Sequence, residues 1–248
     1  MSSSQLKPIK VWGRGGANPP KVAMLLEELD LPREITHVED VKGPEYLAVN
    51  PNGRTPAIHD PNTGLTIWES GAILQYLVER YDAGHRLSFP LGTPEAEHAR
   101  QWLYFQVSGQ GPYYGQAVWF KKFHHEHLPS ALERYVKEVG RVTGVLEGHL
   151  GRQKEEAGAG DGDGDGSGGG PWLVGNKFSY ADLAFLSWQR AIPIVFGKEV
   201  YDPDEFPLVK DWVHRMLARP AIAKALAELD EWQKSQKPPV PIRKDGGQ

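Results

Sequence analysis

The stretch Asn50–Leu77, "NPNGRTPAIHDPNTGLTIWESGAILQYL", decides how the whole chain is interpreted. Pro56 stands at the start of a predicted strand, and the pair Glu69-Ser70 stands where a second predicted strand turns into a helix. A cis bond before Pro56 would turn the backbone N–H and C=O of Thr55 away from the sheet. Both groups would then be free to pair with an extended peptide.

The Glu69-Ser70 pair suits a ligand that carries both a negative and a positive charge. Ser70, at the helix start, offers a hydroxyl and a backbone N–H beside the positive end of the helix, which favours a carboxylate. The Glu69 carboxylate favours an ammonium. With Thr55, these residues predict a clamp for a zwitterionic, peptide-like molecule. The plainer alternative, that Glu69 and Ser70 only end a strand and cap a helix, stays open at this point.

On either side of this stretch, the pattern of apolar residues divides the chain in two. Up to about Tyr81, strands and helices alternate in the order β-α-β-α-β-β-α, with strands at Ile9–Trp12 and near Glu34–Val38. The predicted helices after this point are Ala96–Gln106, Tyr113–His124, Ser130–Leu150, Tyr180–Phe196, Leu208–Leu217 and Ile222–Gln233. The sequence therefore predicts an α/β domain followed by an all-helical domain. The predicted boundaries are 1–84 for the first domain, 85–94 for a linker, 95–234 for the helical domain with a flexible Gly/Asp loop at 155–170, and 235–248 for a tail.

The composition excludes several classes of function. The 248 residues are 40% hydrophobic, and 28 Lys and Arg against 32 Asp and Glu give a formal net charge of −4, which offers no electrostatic basis for nucleic-acid binding. No apolar run is long enough for a membrane span, and the first residues show no targeting signal, so we expect a cytoplasmic protein. The absence of cysteine excludes disulfides, thiolate metal sites and a cysteine nucleophile.

Two segments resemble metal-binding motifs, but we predict a metal site at neither of them. Asp161, Asp163 and Asp165 resemble the start of a calcium loop, whose twelfth position needs a carboxylate and here holds Trp172. The histidines of "FHHEHL" have neither Cys nor a spaced carboxylate face beside them, and we expect them at a helix end in water. We therefore predict no metal.

The glycine-rich loop "GRGGANPPK", Gly13–Lys21, raises the alternative of a dinucleotide site. Asn18 replaces the third glycine of the G-x-G-x-x-G pattern, and Pro19 and Pro20 remove two N–H donors from the turn that would contact a pyrophosphate. The loop therefore argues against a dinucleotide and leaves a small peptide thiol as the better candidate.

A resemblance to a known family extends over nearly the whole chain. It is carried by "NPNGRTPA", "IWESGAIL", "WLYFQVSGQGPYYGQAVWF", "ALERYVKEVGRVTGVLE" and "WLVGNKFSYADLAF". The chain resembles the glutathione transferases, in particular their fungal branch related to the yeast nitrogen regulator that forms a prion. The resemblance implies a thioredoxin-like N-terminal domain, an all-helical C-terminal domain, glutathione as co-substrate and a homodimer.

The resemblance also implies roles for particular residues. Asn18 matches an Asn that faces the glutathione sulfur, Thr55 pairs with the cysteinyl backbone, and Glu69 and Ser70 hold the γ-glutamyl group. The remaining predicted contacts to glutathione are Lys42, Arg54 and Pro56.

The chain departs from these relatives in two places. It reads Asn18-Pro19-Pro20-Lys21 where they have Asn-Gly-x-Lys. Val41, followed by Lys42, stands at a position where relatives carry a basic residue that contacts glutathione. We therefore expect the glutathione site at the same place as in these relatives. Its local geometry is expected to differ from theirs at Asn18–Lys21 and at Val41.

The chemistry expected at the loop is stabilisation of a thiolate. A free thiol has a pKa of about 8.5, and each unit of lowering needs about 1.4 kcal/mol. No Ser, Thr, Tyr or Cys lies between Gln5 and Asn18, so the available groups are the Asn18 amide, the Arg14 guanidinium, loop N–H groups and the helix end, none of which is a base. Asn18 and Arg14 are therefore the predicted catalytic residues. The alternative is that Asn18 only caps the helix.

A second substrate is expected to be apolar, because aromatic residues follow a predicted helix break at Pro112. The predicted pocket residues are Tyr113, Tyr114, Trp119, Phe120 and Phe123. Family architecture would place this segment near the wall of the site opposite Asn18. About three of these five aromatic residues are expected to pack in the core instead of lining the pocket.

Three functions of different classes remain after this reasoning. The first is a glutathione transferase that conjugates glutathione to an electrophile or acts as a glutathione-dependent peroxidase or disulfide reductase. The second is a glutathione-dependent isomerase or eliminase in a fungal biosynthetic pathway. The third is a non-enzymatic glutathione-binding regulator, which is disfavoured because only about eight residues, and no Asn/Gln-rich extension, precede the first strand.

Overall fold

The first half of the chain is an α/β unit built on a four-stranded sheet. The computed structural model describes residues 6–156, 169–198 and 200–236. The elements of this half are β1 (Ile9–Trp12), α1 (Pro19–Glu28), β2 (Arg33–Thr36), α2 (Pro44–Leu47), β3 (Ala57–Asp60), β4 (Leu65–Trp68) and α3 (Ser70–Tyr81). The predicted order of strands and helices is confirmed.

The sheet has the strand order β2-β1-β3-β4 and is mixed. β1 pairs parallel with β2, while β3 pairs antiparallel with both β1 and β4. Ile9 and Val11 alternate with less buried residues along β1 and lie in the core, as expected for a strand that has one face against helices. β1 and α1 are joined by the glycine-rich loop, which therefore lies at the C-terminal end of β1.

The second half is all-helical. Its elements are α4 (Pro94–Phe105), a π-helical turn (Gln106–Gln110), α5 (Gly111–Lys122), α6 (Pro129–Glu156), α7 (Tyr180–Val195), a short 3₁₀ helix (Pro203–Glu205), α8 (Pro207–Leu217) and α9 (Pro220–Ser235). The combination of an α/β domain with an all-helical domain confirms the predicted fold class. Among the described residues, no helix is long and apolar enough to cross a membrane.

The predicted helix break at Pro112 is wrong. The chain continues from α4 through the π-helical turn into α5, and the N–H of Gly111 donates to the carbonyl of Gln106. Pro112 lies in the first turn of α5, where its missing N–H removes no hydrogen bond that the helix needs.

Two predicted boundaries also shift. α6 continues to Glu156, six residues beyond its predicted end, so that the start of the predicted loop 155–170 is helical. α9 includes Ser235, the first residue of the predicted tail. The parts of these segments at 157–168 and 237–248 lie outside the described residues. A capping box of Ser179 and Asp182 starts α7, as the S-x-x-D pattern indicates.

The two halves share one continuous hydrophobic core. It extends from β1, α1 and α3 to α7, α8 and α9. Ion pairs reinforce this contact: Arg219 makes a two-pronged bond to Glu28 of α1, with N···O distances of 2.7 and 2.9 Å, and Arg33 of β2 donates to Glu228 of α9 at 2.8 Å. The relative position of the halves is therefore fixed by both apolar and ionic contacts.

Candidate functional site

A cavity of about 580 Å³ lies where the two halves meet. Its residues from the α/β half are mostly polar, and those from the helical half include two tryptophans. The first group is Asn18, Asn50, Asn52, Arg54, Thr55, Pro56, Glu69 and Ser70, and the second is Gln106, Val107, Gly111, Pro112, Gly115, Gln116, Trp119 and Trp188. One wall therefore suits a polar, peptide-like molecule, and the opposite wall offers apolar surface.

The loop before β3 is held close to the glycine-rich loop. The peptide bond between Thr55 and Pro56 is cis, as expected. Gly13 has φ +106°, and a Cβ placed on it would come within 2.4 Å of Cβ of Thr55. Glycine is thus required at position 13 for two reasons: the positive φ of the backbone, and the lack of space for a side chain beside Thr55. This contact positions Thr55 beside the loop that carries Asn18.

The turn that precedes Thr55 is braced by polar side chains. The Arg54 carbonyl accepts hydrogen bonds from Tyr46 Oη at 2.8 Å and from Asn50 Nδ2 at 2.6 Å. The side-chain oxygen of Asn50 accepts from the N–H of Asn52 at 3.0 Å. These bonds fix the backbone that presents Arg54 and Thr55 to the cavity.

Glu69 and Ser70 form the corner between β4 and α3. Glu69 is the N-cap of α3 and has φ +72°, a left-handed conformation that side chains other than glycine adopt rarely. Such strain at a non-glycine residue is concentrated at functional sites. The Glu69 side chain is exposed, and Ser70 is buried at the first position of the helix. The N-terminal end of α3 therefore faces the cavity with its positive pole, with a carboxylate next to it.

Asn18 occupies the N-cap position of α1, but its side chain makes no capping hydrogen bond. Its backbone has φ −89° and ψ −42°, which is helical rather than the extended conformation typical of a capping residue. The amide is therefore available to the cavity, which argues against the interpretation of Asn18 as a simple helix cap.

A buried lysine lies close to this wall. Lys21 of α1 is 1% exposed and donates from Nζ to Oε1 of Gln106 at 2.8 Å. Gln106 in turn donates to Gln110 at 3.0 Å, and Gln110 donates to the Phe185 carbonyl at 3.3 Å. Burial lowers the pKa of Lys21 from its ordinary value of 10.5 to about 7, and attraction to the Glu69 carboxylate opposes this shift.

Comparisons with known proteins identify the family. Models of the glutathione S-transferase N-terminal and C-terminal domains match residues 18–80 and 119–228. The chain is 59% identical over 229 residues to the glutathione S-transferase-like protein gedE of Aspergillus terreus, covering 91% of this chain and 97% of that protein. The chain belongs to the glutathione S-transferase family.

Solved structures place it with the fungal Ure2p-like class. Glutathione transferase URE2P8 of Phanerochaete chrysosporium, crystallised with oxidized glutathione, superposes with a TM-score of 0.82 at 38% identity, covering 94% of this chain and all of that one. Ure2p5 of the same organism, cocrystallised with 1-(S-glutathionyl)-2,4-dinitrobenzene, gives 0.80 at 36% identity, covering 94% of this chain and 99% of that one. The thioredoxin-like N-terminal domain and the helical C-terminal domain are therefore confirmed as a glutathione S-transferase fold.

Two of the residues expected at the glutathione site lie elsewhere. Arg14 does not line the cavity of Asn18; it lines depressions between α1, β2 and α9, one of them with Glu27, Asp30 and Lys224. Lys42 is exposed and does not line the cavity; its Nζ donates to the carbonyl of Asn52 at 2.9 Å. Lys42 thus supports the turn that precedes Thr55.

Of the five aromatic residues expected to form the second-substrate pocket, only Trp119 lines the cavity. Tyr114 is fully buried in a second core cluster and bonds Thr143 at 2.7 Å. Phe120 stacks on Tyr135 of α6, and Tyr113 lies against the same ring. Phe123 is half exposed next to Trp119 but outside the cavity lining. The direction of each ring follows from the α5–α6 packing, which sequence spacing alone does not define.

Sequence reasoning missed Lys21, Gln106 and Trp188. A signal was present for Lys21, which stands four residues before Leu25 and so falls on the apolar face of α1. Gln106 and Gln110 show the same spacing within an otherwise apolar region. For Trp188 there was no such signal, because it comes from α7, far away in sequence. Among the described residues, no group of three or more His, Cys, Asp or Glu side chains is arranged to hold a metal ion.

Proposed function

We propose that this family member is a glutathione transferase that activates the glutathione thiolate for attack on an electrophilic or disulfide small molecule. The observation that carries the proposal is that Asn18, Thr55, Glu69 and Ser70, which are far apart in sequence, line one cavity. The polar wall supplies an acceptor for the γ-glutamyl ammonium at Glu69 and donors for its carboxylate at Ser70 and the start of α3.

Stabilisation of the thiolate is assigned to Asn18. Its amide is the side-chain donor that the glycine-rich loop presents to the cavity, and it makes no capping hydrogen bond. The Asn18 amide cannot act as a base for the glutathione thiol, so the thiol proton is lost to solvent. The amide N–H then stabilises the negative charge of the thiolate by donating a hydrogen bond. This assignment leaves Arg14 out, because that side chain lies in the other depression.

The electrophile is assigned to the wall from the helical half. Trp119 and Trp188 lie there with Val107 and Pro112. Flat apolar rings favour an apolar or aromatic molecule. The cocrystal of Ure2p5 with a glutathionyl-dinitrobenzene supports an aromatic electrophile, since that relative shares the fold at a TM-score of 0.80.

Mass spectrometry of reaction products tests the proposal. Purified protein is incubated with glutathione and, separately, 1-chloro-2,4-dinitrobenzene, an epoxide, a hydroperoxide, a mixed disulfide and an isomerisable unsaturated ketone. Glutathione adducts indicate conjugation, and glutathione disulfide formed from the hydroperoxide or the mixed disulfide indicates the peroxidase or reductase activity. A rearranged product of unchanged mass would instead indicate the isomerase class. Binding of glutathione without turnover of any compound would contradict the enzyme and favour the regulator.

A further inference from the structure

The π-helical turn Gln106–Gln110 contacts both helices that begin at the polar wall of the cavity. The side chain of Gln106 is bonded to Lys21 of α1, and a Cβ placed on Gly71 of α3 would come within 2.9 Å of Cγ1 of Val107. Gln106 and Val107 also line the cavity. Helical turns of this type occur frequently at functional sites. The turn therefore joins the helical half to the start of α1 and to the start of α3.

The bond between Lys21 and Gln106 is closed off from solvent. Both residues are 1% exposed, and Nζ of Lys21 donates to Oε1 of Gln106 at 2.8 Å. Nε2 of Gln106 donates to Gln110 at 3.0 Å, and Gln110 donates to the Phe185 carbonyl of α7 at 3.3 Å. Because Gln106 accepts at one end of its amide and donates at the other, its side chain is held from both sides. The chain of bonds thus ties α1 to α7 through the π-helical turn.

Lys21 and Gln106, called the buried pair from here on, lie between the two walls of the cavity. On one side, Lys21 follows Asn18 by about one turn of α1. On the other side, the chain continues from Gln106 into α5, whose Trp119 lines the apolar wall. The spacing between Asn18 and the apolar wall therefore depends on the place where α1 meets the π-helical turn.

Other contacts join α1 to the helical half without reaching the cavity. Lys224 of α9 bonds Glu27 of α1, and both residues line a different depression. Arg219 pairs with Glu28, and neither of these two residues lines the cavity. A purely structural role of the buried pair would be shared with these contacts, whereas a role in spacing the two walls would not.

We propose that Lys21 and Gln106 are positioning residues that set the distance between the thiolate at Asn18 and the electrophile on the apolar wall. This inference rests on the proposed function, since it needs both substrates in the cavity. Each wall carries its own binding groups, so both substrates still bind when the buried pair is lost. The alignment of the sulfur with the atom that it attacks changes instead, and a shift of about 1 Å can cost about a hundredfold in rate.

Steady-state kinetics of Lys21→Met and Gln106→Leu test this role, with the compound of the panel that the wild type turns over fastest. In each variant, kcat should fall about ten- to thirtyfold, while KM for glutathione and for the electrophile stays within about twofold of the wild type. Affinity for S-methylglutathione, measured by titration calorimetry, should also be unchanged. The methyl group of this ligand replaces the thiol hydrogen, so binding is measured without reaction.

A double variant and a matched control separate positioning from loss of structure. The double variant with Lys21→Met and Gln106→Leu removes the same bond as either single variant. Its kcat should therefore fall no further than theirs, instead of by the product of the two losses. Lys224→Met makes the same substitution at a contact that joins α1 to α9 outside the cavity, and it should keep the wild-type kcat.

Several results would overturn the inference and leave the proposed function intact. They are a wild-type kcat in either single variant, a higher KM or weaker S-methylglutathione binding in place of the loss in kcat, multiplied losses in the double variant, and an equal loss of kcat in Lys224→Met.

A wild type that turns over no compound of the panel would contradict the proposed function and this inference with it. If a single variant does not fold, the double variant decides alone, because it leaves neither member of the buried pair without its partner. A lowered kcat then supports the inference, and a wild-type kcat overturns it.

Discussion

Asn18 stands at a helix start without capping the helix. It occupies the N-cap position of α1, yet its amide makes no capping bond and lines the cavity. A residue that only caps would be expected to bond a backbone N–H in the first turn. The missing capping bond argues against a simple cap and supports the proposed contact of Asn18 with a ligand.

Asn18→Ala should lower turnover with glutathione about ten- to a hundredfold, which corresponds to about 1.4 to 2.7 kcal/mol of transition-state stabilisation. The melting temperature should hardly change, because no capping bond is lost. Asn18→Asp should raise the pKa of the bound thiol, since a negative charge would face the sulfur. Thiolate ultraviolet absorbance of bound glutathione against pH measures this pKa. An Asp variant that titrates like the wild type would show that Asn18 does not contact the sulfur.

Trp119 and Phe123 offer a matched pair for the second substrate. Both are aromatic and 50% exposed, Trp119 in the last turn of α5 and Phe123 directly after the helix, but only Trp119 lines the cavity. Trp119→Ala should raise KM for an aromatic electrophile by about tenfold, since about 1 to 2 kcal/mol of apolar contact is lost. Phe123→Ala should leave KM unchanged, and neither variant should alter glutathione affinity. Equal effects of the two substitutions on KM would contradict the assignment of the apolar wall.

At the scale of elements, the site depends on loops held between regular segments. The glycine-rich loop leaves β1, the cis-proline loop enters β3, and the strained corner at Glu69 leads into α3. Trp232 of α9 packs on the first loop, where a Cβ on Gly15 would come within 3.1 Å of its ring. The glycine-rich loop is thus held by contacts with Thr55 and with α9, whereas the cis-proline loop is also braced by the hydrogen bonds of Asn50.

Gly13 and Gly16 test this view because both have positive φ, +106° and +84°. A Cβ on Gly13 would overlap Thr55, whereas a Cβ on Gly16 would meet nothing within 4 Å. Both alanine variants should lose about 1 kcal/mol of stability from backbone strain. Only Gly13→Ala should lose most of its affinity for S-methylglutathione, measured by calorimetry. Similar affinity in both variants would show that the contact with Thr55 does not position the site.

At the scale of the whole molecule, the cavity exists because the two halves share a core. Its polar wall and its tryptophan wall come from different halves. Arg219 at the start of α9 pairs with Glu28 of α1, and Glu228 of α9 pairs with Arg33 of β2. The sheet ends at β4, whose Leu65 and Trp68 are 41% and 37% exposed. An apolar edge strand of this kind favours association with another chain.

We propose that the protein is a homodimer, in which the family resemblance implies that the α/β domain of one subunit packs on the helical domain of the other. We further propose that this interface covers Leu65 and Trp68 of β4. Light scattering at micromolar concentration should give a mass of twice 27.6 kDa. Trp68→Lys should shift the protein towards the monomer, because a charge would enter the interface. Ile194→Lys, at a residue that is 73% exposed near the end of α7, is the control and should stay dimeric. A wild-type mass of one chain would refute the dimer.

The sequence by itself determined the order of the elements, the fold class, the family, and the segments from which the polar wall is built. These features depend on apolar periodicity and on residues a few positions apart, such as Glu69 and Ser70 at one strand-to-helix corner, so local physics defines them. The tertiary structure decided which side chains reach the cavity. In the folded chain, Arg14 lines a different depression and Tyr114 lies in the second core cluster. Lys21 is buried against Gln106, which is 85 residues away in sequence. Spacing within α1 places Lys21 on the apolar face of that helix, but the partner of a buried side chain, the direction in which it faces and its pKa depend on how distant helices pack, which local spacing does not define.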